Sequence, residues 1–312
     1  MLALLIYNSL MYYSGIVYAQ SNAYPGYDQR FDLLIGGIQI EITGATPWGG
    51  PGFSKGFCSL AFPVTFIEDG YRKKGFITAG HCIDSSFGGD YVDQPRKSSW
   101  WDWSNYIGRG IRTTWPKHYL RSDQDLDAAL IRIEGSRDIS AFIFENGDLY
   151  YGYDKSDFNK KVGIMKIIRP WQLMENITIV YKSGRTTGLT YGLIEKIDDR
   201  VSYWRIPEIP VTIKPVIRIS KCPEIRNGQC YYNGVIAAPG DSGGPVYIRE
   251  LIYYIKVGPD EIRHYGGKVL GIVSGVSRDG KYLMASWATK VKERWNDVEY
   301  LTCEFQYYYT CL

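Results

Sequence analysis

Pro239-Gly240-Asp241-Ser242-Gly243-Gly244-Pro245 and, far upstream, Thr78-Ala79-Gly80-His81-Cys82 decide how this chain is read. A serine hydroxyl is a weak nucleophile until an adjacent base takes its proton. Histidine is the usual base, and a carboxylate must hold its imidazole in the working tautomer. The glycines around Ser242 permit a tight turn, so that the Gly240 and Ser242 amides can face a developing oxyanion.

The carboxylate is sought between the two motifs. Asp127 immediately precedes the apolar run Ala128-Ala129-Leu130-Ile131-Arg132-Ile133, which would bury it beside the imidazole. Asp123 and Asp125 compete with it. The series Asp123, Asp125, Asp127 with Glu134 superficially matches a calcium loop, but Ala128 stands where that loop needs glycine and a hydrophobic strand follows. His81 is one of three histidines, and the other two, His118 and His264, lie in no comparable motif.

Taken in order, His81, Asp127 and Ser242 resemble the chymotrypsin-like serine peptidases. The run Lys182-Ser183-Gly184-Arg185-Thr186-Thr187-Gly188-Leu189-Thr190-Tyr191-Gly192 narrows the resemblance to the bacterial streptogrisin and alpha-lytic protease branch. It extends from about Ile35 to about Val291 and implies two packed six-stranded antiparallel β-barrels. An acyl-enzyme mechanism with no metal or organic cofactor follows from it, as does a polypeptide substrate.

The resemblance also implies site details. Arg185 is expected to pair with Asp241, because a buried carboxylate beside the nucleophile needs a neutralising charge. That would lessen dependence on a free amine at Ile35, which reads either as a new N-terminus or as the first strand of the barrel. Ile236, six residues before the serine, would lie at the base of the primary pocket. Ser274-Gly275-Val276 would pair with the substrate backbone and wall that pocket, with Met284 nearby. An apolar or aromatic side chain before the scissile bond is therefore expected.

The organisation agrees with an all-β class. Many short apolar runs are broken by Gly, Pro and Asn, among 34 glycines and 27 tyrosines. Trp287, Val291 and Trp295 recur every fourth residue, predicting a short amphipathic C-terminal helix packed on the second barrel. Boundaries are set at 1–19 for an apolar leader, 20–34 for a linker or short propeptide, 35–150 for the barrel carrying His81 and Asp127, and 151–312 for the barrel carrying Ser242 and the helix.

The leader MLALLIYNSLMYYSGIVYA carries no charge and ends in a small-residue cleavage pattern; a secreted protein is expected, or a membrane-anchored one if the segment stays uncleaved. With 36 basic and 33 acidic residues and no basic block, nucleic acid is not an expected partner, and the chain is expected to act as a monomer. Six cysteines in an exported chain read as three disulfides with fifteen possible pairings. The resemblance implies Cys58 with Cys82; Cys222 with Cys230 and Cys303 with Cys311 would then close two short loops. Metal binding is not expected, since no Cys-x-x-Cys pair or histidine cluster occurs. Two features stand outside the resemblance: the aromatic run Trp100-Trp101-Asp102-Trp103 and the glycosylation sequon Asn176-Ile177-Thr178. A second reading keeps the same fold but retires the site, leaving a binding or adhesion module.

Overall fold

A computed structural model describes residues 23, 26–45, 51–83, 89–96, 103–115, 122–145, 161–206, 209–221, 224–226, 229–231, 236–257, 260–277, 281–306 and 308–310. The leader, Trp100 to Asp102, His118, Cys222 and Cys311 lie outside the described residues.

In chain order the first strands are β1 (Leu33–Gly36), β2 (Gln39–Ala45), β3 (Pro51–Ser59), β4 (Pro63–Glu68), β5 (Tyr71–Thr78), β6 (Tyr91–Asp93), β7 (Tyr106–Thr113), β8 (Ser122–Gln124), β9 (Ala129–Ile133) and β10 (Asp138–Phe144). Next come β11 (Lys161–Ile167), β12 (Ile179–Gly184), β13 (Gly188–Ile206), β14 (Ile209–Lys221), β15 (Glu224–Arg226), β16 (Gln229–Tyr231), β17 (Pro245–Val257), β18 (Asp260–Val276) and β19 (Tyr282–Trp287). Helix α1 (Ala288–Arg294) and strand β20 (Glu299–Tyr300) follow, ahead of a small terminal hairpin.

The strands form two principal sheets. One has eight strands in the order β20-β4-β5-β9-β7-β6-β2-β3, every ladder antiparallel. The other has ten, and its β18–β19 pairing closes β18-β17-β12-β13-β14-β19 into an antiparallel ring. That ring is the expected six-stranded second barrel. To it are added β11 and β1 by parallel pairing and β10 between them, while β8 pairs in parallel with β14.

Strand exchange between the sheets corrects the boundaries read from sequence. β10, expected in the first barrel, pairs with β11 in the second sheet, and β20 returns to the first sheet beside β4. Residues 26–34 are not a free linker either. Tyr27 is fully buried and meets Phe144 edge-on at 4.8 Å, and Phe31 meets the same ring at 5.0 Å. The backbone is tied as well: Gln39 N donates to Tyr27 O at 3.0 Å, and Arg137 Nη1 donates to Phe31 O at 3.2 Å. Two aromatic side chains in a polar stretch suffice to anchor it, since each buries a large apolar area.

The helix forms where the fourfold spacing predicts and packs on β18 and β19 of the second barrel, and its buried Ala288 and Val291 join the larger core with Ile77, Leu130, Val269 and Ile272. Trp287 joins the second core, with Ile194, Ile217 and Leu270. Among the described residues no helix is long and apolar enough to cross a membrane.

Candidate active site

His81 sits in a single 3-10 turn, Gly80–Cys82, at the end of β5. β5 carries it into the interior, its last four residues being buried after four exposed ones. The Cys58–Cys82 disulfide ties this turn to β3, as the resemblance implied. Asp127 precedes β9, which pairs with β5 in register Thr78 to Ala129, so the ladder itself brings the carboxylate to the histidine.

The contact is double. His81 Nδ1 lies 2.8 Å from Asp127 Oδ2, and the His81 backbone N–H donates to Oδ1 at 3.0 Å. Asp127 is fully buried, whereas the His81 side chain keeps 11% of its surface exposed. Gly80 permits this approach, because a Cβ there would lie 2.9 Å from Asp127 Oδ1. The competing acids go elsewhere: Asp125 pairs with Arg294, and Glu134 pairs with Arg132. Of the run that imitated a calcium loop, Asp125 and Glu134 thus hold two different arginines.

Ser242 lies in the turn between Ile236 and β17. Ser59 N donates to Ser242 O at 2.8 Å, and Ser59 Oγ donates to Gly240 O at 3.0 Å, stitching this turn to the first barrel. Gly243 presses against the residues just ahead of His81. It has φ of 84°, and a Cβ there would lie 2.1 Å from Thr78 Oγ1 and 3.0 Å from Ala79 N. The structure therefore brings the Ser242 turn against Thr78 and Ala79, the residues just ahead of His81.

Asp241 is fully buried and richly bonded. Oδ1 accepts from Thr186 N at 2.7 Å and Thr187 N at 3.1 Å. Oδ2 accepts from Thr187 Oγ1 at 2.6 Å, Ala238 N at 3.0 Å and Lys182 Nζ at 3.2 Å. The cation in contact is thus Lys182, not the expected Arg185. Arg185 donates from Nε to Gln39 Oε1 at 2.5 Å, and its guanidinium lies over the Phe57 ring at 4.3 Å. Burial holds its pKa below the ordinary arginine value, and Asp241 acts on it only through a Coulombic pull in the opposite direction. The geometry explains the exchange. On β12 the side chain at 182 falls on the buried face with Val180, while Arg185 sits beyond the strand end, in the turn.

Ser286 is a site residue that sequence reasoning missed. Its hydroxyl accepts from Asp127 N at 3.1 Å and lies 2.8 Å from the Ser274 hydroxyl. Both serines are fully buried, on the paired strands β19 and β18. Trp115 was also missed; it meets the His81 ring edge-on at 5.6 Å and packs with Val211, Ile213, Val216 and Met284.

Ile236, expected at the base of the pocket, has a side chain 1% exposed within the second core, and its Cδ1 would lie 2.8 Å from a Cβ on Gly192. Gly192 leaves a space that Ile236 fills. Its carbonyl is fixed by Thr190 Oγ1 at 2.7 Å. Ser274, Gly275 and Val276 end β18; the β17–β18 ladder stops at Pro245 opposite Ile272, and β18 runs on to Val276.

Of the other cysteines, Cys303 is disulfide-bonded, while the two short-loop pairings rest on Cys222 and Cys311, outside the described residues. Trp103 is half exposed and stacks edge-on with Tyr91 and Tyr106. Asn176 is exposed in a turn with φ of 59°.

This two-barrel architecture, with its site in the turns between the barrels, is the chymotrypsin-like fold. Solved structures with that fold include Thermobifida fusca protease A, at 19% identity and a TM-score of 0.52 over 86% of this chain and 99% of that one. Nocardiopsis protease aligns at 22% identity and 0.50, over 85% and 97%. Cellulomonas bogoriensis chymotrypsin does so at 22% and 0.50, over 86% and 98%. The structural neighbours are bacterial chymotrypsin-like serine proteases. No protein-family profile and no curated protein sequence matches the chain.

Proposed function

We propose that the chain is a secreted serine endopeptidase acting through an acyl-enzyme. The observation that carries this reading is the double hold of buried Asp127 on His81, with the Ser242 turn docked against Thr78 and Ala79 just ahead of that histidine. In the first step Ser242 Oγ attacks the scissile carbonyl while His81 takes its proton. The negative carbonyl oxygen is received by the Gly240 and Ser242 amides, donors typically worth about 3–4 kcal/mol each in the transition state. His81 then passes the proton to the leaving amine, the C–N bond breaks, and the acyl group stays on Ser242. Water repeats the sequence with His81 as base, releasing the acid and restoring the hydroxyl.

β18 runs on through Ser274–Val276 past its ladder with β17, beside the turn that carries Ser242, and this supports an extended peptide adding there as a strand. Val276 is partly exposed at that end and packs on the second core, supporting an apolar preference before the scissile bond. The Cys58–Cys82 disulfide supports an oxidising compartment and hence secretion.

The test is turnover of chromogenic peptides that vary in the residue before the scissile bond, together with fluorophosphonate labelling, for wild type and Ser242→Ala. A wild type that is labelled and cleaves, beside a variant that is unlabelled and at least about 10⁴-fold slower, supports the reading. An inert wild type would overturn it in favour of the binding module.

A further inference from the structure

We infer that Lys182 is a positioning residue that fixes the oxyanion loop, an inference that rests on the peptidase reading above. Asp241 lies between the two amides proposed to receive the oxyanion, so the place of its carboxylate sets the direction of both. Four of the donors to that carboxylate are neutral: Thr186 N, Thr187 N, Thr187 Oγ1 and Ala238 N. The fifth is the Lys182 ammonium, 3.2 Å from Oδ2 and 1% exposed.

A fully buried carboxylate without a compensating charge takes up a proton or moves toward water. Either change would loosen the turn from Ala238 to Ser242. Lys182 opposes both, and it does so as the junction between two turns. The same ammonium donates to Thr187 Oγ1 and, at 3.0 Å, to Gly188 O, fixing the Arg185–Gly188 turn. That turn then presents its amides to Asp241, and Thr186 Oγ1 donates to Pro239 O at 2.7 Å. Arg185 serves a different contact, since its guanidinium bonds Gln39 and covers Phe57.

An internal cation on a strand needs no newly cut chain terminus. Ile35 is fully buried in β1, which pairs in parallel with β10, while residues 26–34 pack beside it. Lys182 thus supplies from within the chain the charge that a newly cut amine at Ile35 would otherwise have to bring.

The experiment compares peptide turnover by the full chain with Lys182→Met, Lys182→Met/Asp241→Asn and Arg185→Met. Lys182→Met is expected to lose about 10²–10³-fold in kcat, with KM changed less than about threefold. The double variant, which buries no bare carboxylate, is expected to recover at least about tenfold over Lys182→Met. Arg185→Met is expected to lose less than about tenfold. Wild-type kcat in Lys182→Met, or a larger loss in Arg185→Met, overturns the inference while leaving the peptidase reading in place. If Lys182→Met does not fold, a folded double variant supports action through Asp241, and an unfolded one overturns it. An inert wild type removes the peptidase reading, and this role with it.

Discussion

Asp127 grips His81 at two points: one carboxylate oxygen meets ring Nδ1 at 2.8 Å, and the other accepts the backbone N–H of the same residue at 3.0 Å. The second bond fixes where the histidine sits, and the first fixes which ring nitrogen carries the proton. Asp127→Asn keeps the shape but offers an amide N–H where the ring needs an acceptor. Loss of kcat by about 10⁴-fold with an unchanged melting temperature is expected, the size seen for that exchange in a Ser-His-Asp triad. Steady-state kinetics beside calorimetry checks it, and full activity in the amide variant would remove Asp127 from the mechanism.

Ser286 supports the same carboxylate from behind by accepting the Asp127 N–H. Ser286→Ala removes the acceptor of that buried Asp127 N–H. A stability loss of about 1–3 kcal/mol is expected, the cost of one unsatisfied buried polar group. Urea unfolding of both proteins gives the difference directly.

Gly243 occupies a left-handed conformation with no room for a methyl group, φ being 84° and Thr78 Oγ1 standing 2.1 Å from an added Cβ. Gly243→Ala is expected to push the Ser242 turn off the first barrel. Strain and overpacking together should lower stability by at least about 2 kcal/mol, with activity falling alongside. Equal melting temperatures for the two proteins would contradict the docking described here.

Removing the Cys58–Cys82 bridge by a double serine substitution frees a loop with a sequence separation of 24. Loop-closure entropy for that length predicts a loss of about 3 kcal/mol. The same shift is expected on adding reductant to wild type, if Cys303 is protected or compared in parallel.

Acid should loosen the segment after helix α1. Arg112 holds Asp297 through two bonds, at 2.7 and 2.8 Å, and Ile67 N adds a third at 3.3 Å. The hydrogen bond and charge of Arg112 hold the Asp297 carboxyl below its ordinary pKa. A carboxyl whose folded-state pKa is depressed stabilises the fold above its unfolded value, and that contribution fades as pH falls through the folded one. Wild type should exceed Asp297→Asn by about 1 kcal/mol at neutral pH, and the two curves should merge below about pH 4. A gap that persists in acid would assign the effect to packing.

The candidate site residues were legible because their chemistry is local: a serine among glycines, a histidine at a strand end, an aspartate ahead of a buried strand. The cation for Asp241 was legible only to within one motif. Lys182 and Arg185 stand three residues apart and both are buried; the alternation of β12 turns Lys182 to the buried face, while Arg185, in the turn beyond the strand, meets Gln39 and Phe57. The room that the Ile236 side chain fills depends on the missing side chain of Gly192, a partner on another strand, which no local pattern announces. Tyr27 and Phe31 lay in a stretch whose average polarity concealed them, since two anchors outweigh many solvated neighbours. Ser286 offered no local signal at all, because only the β18–β19 ladder gives it meaning.

The return of β20 to pair with β4 means that the first barrel is not one continuous length of chain. A growing polypeptide that has left the ribosome as far as Ile133 holds His81, Asp127 and most of their sheet, yet the outer edge of β4 stays bare. Residues 299 and 300 cover that edge, after the whole second barrel has been synthesised. Translation order therefore places the closing of the histidine-bearing half after the arrival of the serine. No early fragment carries a finished half-site, and a nascent chain so arranged matures as one unit.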